Sequence, residues 1–222
     1  MTDVPLSATL GPVFMMDPRL GSTIGYYSSV YGIPTALLET TLVVEAIDDQ
    51  SPLSTLIDSM NKAALDMLET PPQYGGLQAR SSAAAWLAFA DWAERRHGSL
   101  GIGGDNYHID TARDVENHFQ ARYPGSAMSK FVPPGKTQED VLRELFSPQG
   151  NIKYAAALLR MLSDQRTGTY ADHTDAFSVT DMAVIYGAYR GGFKPYGGED
   201  RYRAAQQPSD PGQIFLNYWR GY

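Results

Sequence analysis

The chain contains no cysteine among its 222 residues. Disulfide bonds, thiol catalysis and cysteine metal sites are therefore excluded. The sequence also lacks a phosphate-binding G-x-x-x-x-G-K-[ST] loop and a G-x-S-x-G nucleophile elbow, so nucleotide chemistry and acyl transfer have no support. Histidine is scarce, and the four histidines show no paired metal spacing: they are His97, His108, His118 and His173. We therefore expect neither a metal ion nor another cofactor.

Long basic and long apolar runs are also missing. The formal net charge is −7, which argues against nucleic acid or an anionic membrane surface as the main partner. No stretch approaches the length of apolar residues that a transmembrane helix needs, so no membrane span is predicted. The segment from Met1 to Leu10 lacks the basic and apolar regions of a secretory signal. We expect a protein that stays in the cell, leaves by a route without such a signal, or is shown without its leader.

The composition supports a packed core, because 43% of the residues are hydrophobic and 11% are aromatic. Few segments alternate in the manner of strands, and no internal repeat is visible. The segment from Met1 to Tyr31 is rich in Gly, Pro, Ser and Thr and has no sustained period. The sequence therefore predicts an irregular arm over residues 1–31, followed by a single, mainly α domain over residues 32–222.

Apolar periodicity, capping residues and glycine or proline breaks predict seven helices. The first three run from Thr35 to Ala46, from just after Pro52, and from Ser81 to Arg96. The fourth begins at Asp110 or Thr111 and ends before Pro124. The last three begin at a capping residue: Thr137 for a helix through Phe146, Asn151 for a helix ended by Gly168, and Ser178 for a helix ended by Gly191. Residues 125–136 are predicted to be a loop. The segment Ile214-Phe215-Leu216 is expected to dock onto the core after a tail rich in glycine and proline.

Glu45 is the first candidate for chemistry. On a helix it shares one face with Leu38, Thr41 and Leu42, because residues three and four apart are neighbours. Burial and the negative end of the helix dipole both disfavour ionisation of a carboxyl group at that position. A carboxyl kept protonated near neutral pH is what a general acid requires. The alternative is a structural glutamate that reaches solvent or pairs with an arginine.

Four segments, in order along the chain, together carry a resemblance to a known family. They are the helix pattern from Gly32 to Glu45, the turn Ser99-Leu100-Gly101-Ile102-Gly103 with the later pair Thr111-Ala112, the Asn-Ile helix with its lead from Leu145 to Leu159, and the helix end Ala188-Tyr189-Arg190-Gly191-Gly192. The set resembles the lysozyme-like domain of soluble lytic transglycosylases and goose-type lysozymes. The resemblance implies a helical domain with a central buried helix and a substrate cleft.

The resemblance also implies an activity. The substrate would be the β-1,4-linked glycan of peptidoglycan, with Glu45 as the general acid and base. The N-acetyl group would assist, and the muramyl 6-hydroxyl would close a 1,6-anhydro ring. A hydrolase would need a second acid to position water, for which Asp105 and Asp110 are the nearest candidates in sequence, although Asp110 fits a helix cap equally well. The sequence favours the transglycosylase outcome.

The remaining site predictions are substrate contacts. Tyr189 would hydrogen-bond Glu45, as the family tyrosine does, or would be a core tyrosine. The glycines of the turn would let the backbone approach the sugar, and Arg190 would contact a peptide-stem carboxylate or form an ordinary salt bridge. The predicted substrate-binding residues are Ser99, Gly101, Gly103, Asp105, Tyr189 and Arg190. Asn151 is interpreted as a helix cap and not as a ligand.

Three departures from the family pattern keep other functions open. Ala46 stands where the family has Ser, Gly104 where it has Gln, and Arg190 where it has Asn. A lysozyme-like domain that has lost activity and binds glycan or protein is one alternative, and a chitinase or chitosanase is another. The expected partners are peptidoglycan strands and an inhibitor or immunity protein. The expected site of action is the periplasm or cell wall, reached through phage lysis or a specialised secretion system.

Overall fold

The computed structural model describes residues 18–48, 109–168 and 177–220. Within these ranges the regular structure is helical and no strand is present, so the predicted mainly α class is confirmed. The helices are α1 Pro18–Tyr31, α2 Thr35–Asp48, α3 Ile109–Arg122, α4 Ala127–Phe131, α5 Gln138–Phe146, α6 Pro148–Thr167, α7 Val179–Gly191, α8 Glu199–Ala204 and α9 Asp210–Arg220. The helix predicted after Pro52, the helix from Ser81 to Arg96 and the glycine turn of residues 99–106 lie outside the described residues.

The prediction of an irregular arm is wrong for residues 18–31, which form helix α1. Glycine and serine lower the helix propensity of this segment and hide its pattern. Ile24 and Tyr31 are nevertheless fully buried, and the helix packs against α6 and α2. Tertiary packing of one apolar face therefore outweighs a poor local propensity here.

Helix α6 lies at the centre of the described helices. It packs against α1, α2, α3, α5, α7 and α8, and Ala155, Ala156 and Ala157 have no exposed surface. Small alanine side chains allow neighbouring helices to approach its backbone from several directions. The predicted end of this helix is confirmed, because Gly168 adopts a left-handed conformation with φ of 66°.

The predicted start of α6 is wrong by one turn. Ser147 is the N-cap, and its hydroxyl accepts a hydrogen bond from the Gly150 amide at 3.0 Å. Pro148 follows at the first helical position, where its missing N–H costs nothing. Asn151 lies inside the helix, and its side-chain amide donates to the Leu145 carbonyl at 3.3 Å. It is therefore not the cap that the sequence suggested.

Helix α7 begins as predicted, with a capping box in which Ser178 and Asp181 each accept a hydrogen bond from the other's backbone amide. The second predicted cap, Thr137 before α5, is also confirmed and pairs in the same way with Asp140. By contrast, the stretch of residues 125–136, predicted to be a loop, contains the short helix α4.

The tail after α7 is more helical than predicted, with α8, α9 and a 3₁₀ turn over Lys194–Tyr196. The predicted docking of the segment around Phe215 is confirmed, because Phe215 is fully buried and its ring lies 5.4 Å from that of Tyr186. Helix α9 approaches α7 closely at Gly212, where a Cβ atom would lie 2.4 Å from the Ala183 carbonyl oxygen. Of the helices described, none combines the length and apolar character needed to cross a membrane.

Candidate functional site

Glu45 is buried in the C-terminal half of α2, with only 4% of its side chain exposed. The predicted apolar stripe is present, because Leu38, Thr41 and Leu42 are all buried. Val43 and Val44 are buried as well, so apolar surface extends around most of this end of the helix. The carboxyl group thus lies in a low-dielectric setting, as the sequence indicated.

Two side chains of α7 hold the Glu45 carboxyl group. The Tyr186 hydroxyl donates to Glu45 Oε1 at 2.7 Å, and the Arg190 Nε lies 3.5 Å from the same oxygen. Tyr186 and Arg190 are four residues apart and therefore share one face of α7. Burial raises the pKa of Tyr186 above its ordinary value, and the nearby Glu45 charge raises it further. The hydroxyl therefore remains protonated and acts as a hydrogen-bond donor.

The structure assigns the bond to Tyr186, one turn before the tyrosine that the sequence favoured. The rings of Tyr186 and Tyr189 stack with centroids 6.3 Å apart and an interplanar angle of 13°. Tyr189 therefore packs against Tyr186, the residue that contacts Glu45. The predicted contact of Tyr189 with substrate remains a prediction. The sequence contains a signal for Tyr186, because Met182, Ile185, Tyr186 and Tyr189 recur at helical spacing and so share the inner face of this helix.

Two opposing influences act on the charge of the Glu45 carboxyl group. Burial disfavours the carboxylate, whereas the hydroxyl of Tyr186 and the guanidinium of Arg190 stabilise it. The Arg190 side chain is 29% exposed, so its positive charge remains partly hydrated. The arginine pair that the sequence left open as an alternative is thus present beside the buried carboxyl group.

An open cleft of about 650 Å³ lies between α3, α6 and the C-terminal end of α7. Its described lining residues are Thr111, Asp114, His118, Leu158, Met161, Leu162, Gln165, Ala188, Tyr189, Arg190, Gly191, Gly192 and Phe193. Arg190 therefore belongs both to the cleft wall and to the Glu45 cluster. Tyr189 and Arg190, both predicted as substrate contacts, line this cleft.

A second buried acid, Asp164 on α6, lies behind the α3 wall of the cleft. It accepts hydrogen bonds from the Tyr123 hydroxyl at 2.7 Å and from Arg160 Nε at 2.9 Å. Its Oδ2 also lies 3.3 Å from Nε2 of His118, which lines the cleft. Arg160 is anchored further by the Tyr31 carbonyl at 2.7 Å. This network was not predicted; its signal in the sequence is the pair Arg160 and Asp164, two charged residues four positions apart on an otherwise apolar helix.

A third charged cluster connects α3, α5 and α6. The Lys136 ammonium bonds Glu144 at 2.8 Å and the Tyr154 hydroxyl at 3.0 Å, while Tyr154 in turn donates to the buried Glu116. Lys153 also bonds Glu144, and burial lowers the pKa of the Lys153 ammonium. Two lysines and two glutamates balance one another, and none of them lines the cleft. The cluster therefore fits a structural role.

Of the remaining predicted site residues, only Asp110 lies in the part of the chain that the structure describes. Ser99, Gly101, Gly103 and Asp105 lie outside the described residues. Asp110 is exposed in the first turn of α3. Asp114, one turn later, lines the cleft, where partial desolvation and then the charge of Asp110 raise the pKa of its carboxyl group.

Within residues 18–48, 109–168 and 177–220, no three His, Asp or Glu side chains come together in a way that could hold a metal ion. Comparisons of the chain with models of protein families, with curated protein sequences and with solved structures found no match.

Proposed function

We propose that this protein cleaves the β-1,4 bond between the muramyl and glucosaminyl residues of peptidoglycan, with a lysozyme-like domain and Glu45 as general acid and base. The observation that carries the proposal is a carboxyl group that is buried, held by a tyrosine hydroxyl and joined through Arg190 to an open cleft. Desolvation of a carboxyl group in such a position is how proteins obtain a proton donor near neutral pH. The site of action would be the periplasm or cell wall.

The reaction needs only one carboxyl group from the protein, unlike the two-carboxylate route of most glycosidases. Glu45 donates its proton to the glycosidic oxygen as the C–O bond breaks, and the substrate's own N-acetyl oxygen stabilises the anomeric carbon. The muramyl 6-hydroxyl then attacks that carbon and returns its proton to Glu45. The products are a free 4-hydroxyl and a 1,6-anhydro end, and the enzyme is regenerated.

Tyr186 would position the acid in this scheme, because its hydroxyl fixes one carboxyl oxygen of Glu45 at 2.7 Å. The cleft would receive the glycan. Its volume lies within the range of ligand sites in proteins, and Tyr189 and Phe193 offer aromatic surface beside the polar groups of α3.

The test is incubation with purified sacculi, followed by mass spectrometry of the released muropeptides. Wild type should release anhydro-ended products, and Glu45→Gln should lower their yield by at least about a hundredfold. Glu199→Gln is the matched control, because 41% of the Glu199 side chain is exposed and it pairs with Arg203 on α8. Equal yields from wild type and Glu45→Gln would exclude Glu45 as the acid, and reducing-end products would reassign the protein as a hydrolase.

The second candidate is a lysozyme-like domain that binds glycan without cleaving it. The observation that favours it is the approach of Arg190 Nε to Glu45 Oε1 at 3.5 Å, because a permanent arginine pair would keep the acid ionised. Retained binding of sacculi with no released products, from wild type and Glu45→Gln alike, would support this candidate over cleavage.

A further inference from the structure

We propose that the Asp164 network holds the His118 imidazole as a hydrogen-bond acceptor in the cleft, where it binds an N–H or O–H donor of the glycan. The Asp164 network consists of Asp164 and Arg160 on α6 and of Tyr123, the residue after α3. The inference rests on the proposed function for the identity of the ligand and deepens it, because it assigns a binding residue to the cleft. Two groups of the glycan supply such donors, the acetamido N–H and the ring hydroxyls.

His118 connects the cleft to the buried network. It lies on α3 and lines the cleft, with 13% of its side chain exposed. Its Nε2 lies 3.3 Å from Oδ2 of Asp164, whose side chain has no exposed surface. The Phe119 ring meets the imidazole edge to face, with centroids 5.2 Å apart. One imidazole nitrogen is therefore held by a buried acid, and the ring is packed in a defined orientation.

The Asp164 network determines which imidazole nitrogen carries the proton. Asp164 accepts hydrogen bonds from Arg160 Nε at 2.9 Å and from the Tyr123 hydroxyl at 2.7 Å. Burial and the hydrogen bond to Asp164 raise the pKa of Tyr123, so its hydroxyl stays protonated and donates. A carboxylate that is paired with a guanidinium only accepts, so Nε2 of a neutral His118 is the donor between these two residues. Nδ1 of the same ring is then an acceptor.

Two acceptors on this side of the cleft are without a donor. Within residues 18–48, 109–168 and 177–220, Nδ1 of His118 has no hydrogen-bond partner, and Oε1 of Gln165 is buried without one. Gln165 follows Asp164 on α6 and also lines the cleft. A buried acceptor without a partner costs free energy, and a bound N–H or O–H group removes that cost.

The rest of the described lining fits a neutral ligand better than an ion. Asp114 on α3 and Arg190 on α7 carry opposite charges, so neither sign is in excess. Three apolar residues of α6 also line the cleft, namely Leu158, Met161 and Leu162. Apolar surface with a few polar groups is typical of sites for small organic ligands. A sugar with hydroxyl and acetamido groups offers both kinds of surface.

The test combines the tautomer of His118 with the binding of a peptide-free tetrasaccharide of peptidoglycan. Nitrogen NMR of wild type at pH 8 identifies the His118 imidazole by the signals that disappear in His118→Gln. These signals should report a proton on Nε2, and the Nδ1 signal should move when the tetrasaccharide is added. Affinity is measured by calorimetry in a Glu45→Gln parent, so that the ligand is not cleaved. Circular dichroism verifies that each variant is folded.

His118→Gln should lower the affinity about three- to tenfold, because the glutamine amide can still donate to Asp164 but provides no acceptor in place of Nδ1. Glu199→Gln, on the exposed face of α8, is the control and should bind as the parent does. Asp164→Asn should move the proton to Nδ1 and lower the affinity to the same extent, because an amide can donate to Nε2. If Asp164→Asn does not fold, the wild-type tautomer and His118→Gln decide the matter.

A second ligand distinguishes the two donors. It is the same tetrasaccharide with an ester oxygen in place of each acetamido N–H. If His118→Gln does not weaken binding of this analogue, the donor is the acetamido N–H. If His118→Gln weakens binding of the analogue as much as that of the tetrasaccharide, the donor is a hydroxyl.

Several results would overturn the inference without reference to cleavage. They are a proton on Nδ1 in wild type, an unchanged tautomer in folded Asp164→Asn, no binding of the tetrasaccharide by the parent, and equal affinities of the parent and His118→Gln. If wild type releases no anhydro product but His118→Gln weakens binding, the proposed cleavage is refuted and the role of His118 stands. If product is released but His118→Gln binds as the parent does, the role of His118 alone is refuted.

Discussion

Glu45 and Asp164 are two buried acids that bind the same kinds of partner, a tyrosine hydroxyl 2.7 Å away and an arginine. The difference lies in the arginines. Arg160 is 3% exposed and its Nε lies 2.9 Å from Asp164, whereas Arg190 is 29% exposed and its Nε lies 3.5 Å from Glu45. The same residue types thus form a network that is closed to water in one place and a network that is partly open to water in the other.

The number of anchors explains why Arg160 is fixed. Besides Asp164, its guanidinium donates to the Tyr31 carbonyl at 2.7 Å and to the Tyr123 hydroxyl at 2.9 Å. It also lies over the ring of Tyr123, 5.3 Å from the centroid. Each of the three guanidinium nitrogens therefore donates to a different acceptor. These hydrogen bonds connect α6 with α1 and with the residue that follows α3.

The largest expected effect is on stability, from substitution of the two arginines. Arg160→Met should lower the free energy of unfolding by about 3–5 kcal/mol, because it leaves Asp164 buried without its counter-ion. Arg190→Met should cost only about 1–2 kcal/mol, because 29% of that arginine side chain is exposed and its charge is partly hydrated. Urea unfolding at pH 7 measures both values.

Arg203→Met is the control for these two variants, because Arg203 pairs with Glu199 four residues away on an exposed surface. Its cost should stay within about 0.5 kcal/mol. Equal losses for Arg160→Met and Arg190→Met would show that both arginines are structural, and the contrast between the two acids would fail.

The two tyrosines provide a smaller effect that separates stability from activity. Tyr186→Phe and Tyr123→Phe should each lower the free energy of unfolding by about 1–2 kcal/mol, because each removes a short hydrogen bond from a buried carboxyl oxygen. Under the proposed function, only Tyr186→Phe should also slow release of muropeptides, by about tenfold at saturating substrate. Thermal unfolding and a product assay on the same preparations make the comparison, and equal rates in both variants would remove Tyr186 from the positioning role.

The smallest effect concerns an acid paired with an arginine near the surface. Burial alone would raise the pKa of Asp181, but hydrogen bonds from Arg166 and Ser178 outweigh burial and lower it. A carboxyl group with a lower pKa in the folded state stabilises the fold above its unfolded pKa. That contribution is lost as the pH falls below about 4 toward the folded pKa.

Asp181→Asn should therefore cost about 1 kcal/mol at neutral pH and less in acid, measured by urea unfolding between pH 2 and 7. Asp140→Asn is the control, since Asp140 occupies the same position in the capping box of α5. If the loss of unfolding free energy in Asp181→Asn does not decline with falling pH, the ion pair with Arg166 does not stabilise the fold.

Local signals in the sequence were sufficient for much of the helical framework. The caps at Thr137 and Ser178 and the stop at Gly168 depend on neighbouring residues only, and the structure confirms them. The burial of Glu45 also followed from the spacing of apolar residues on its own helix. Helix α1 was missed because its stability comes from packing against α6, which no local pattern reveals.

The partners of the two acids depend on contacts between distant segments. Tyr186 and Tyr189 lie three residues apart on one helix, and sequence cannot decide which of them reaches a carboxyl group 141 positions away. In the same way, Arg160 meets the Tyr31 carbonyl across 129 positions. Helical spacing gives the face on which a residue lies, but the angle at which two helices cross determines which residue makes the contact.

The close approach at Gly212 has a consequence for the candidate site. Any side chain at that position would collide with the backbone of α7 at Ala183, so the observed alignment of α9 along α7 requires glycine here. That alignment sets Phe215 behind the phenol ring of Tyr186. A substitution at Gly212, in a helix that contributes no described residue to the cleft lining, would therefore disturb the packing of Phe215 on Tyr186, the tyrosine that holds Glu45.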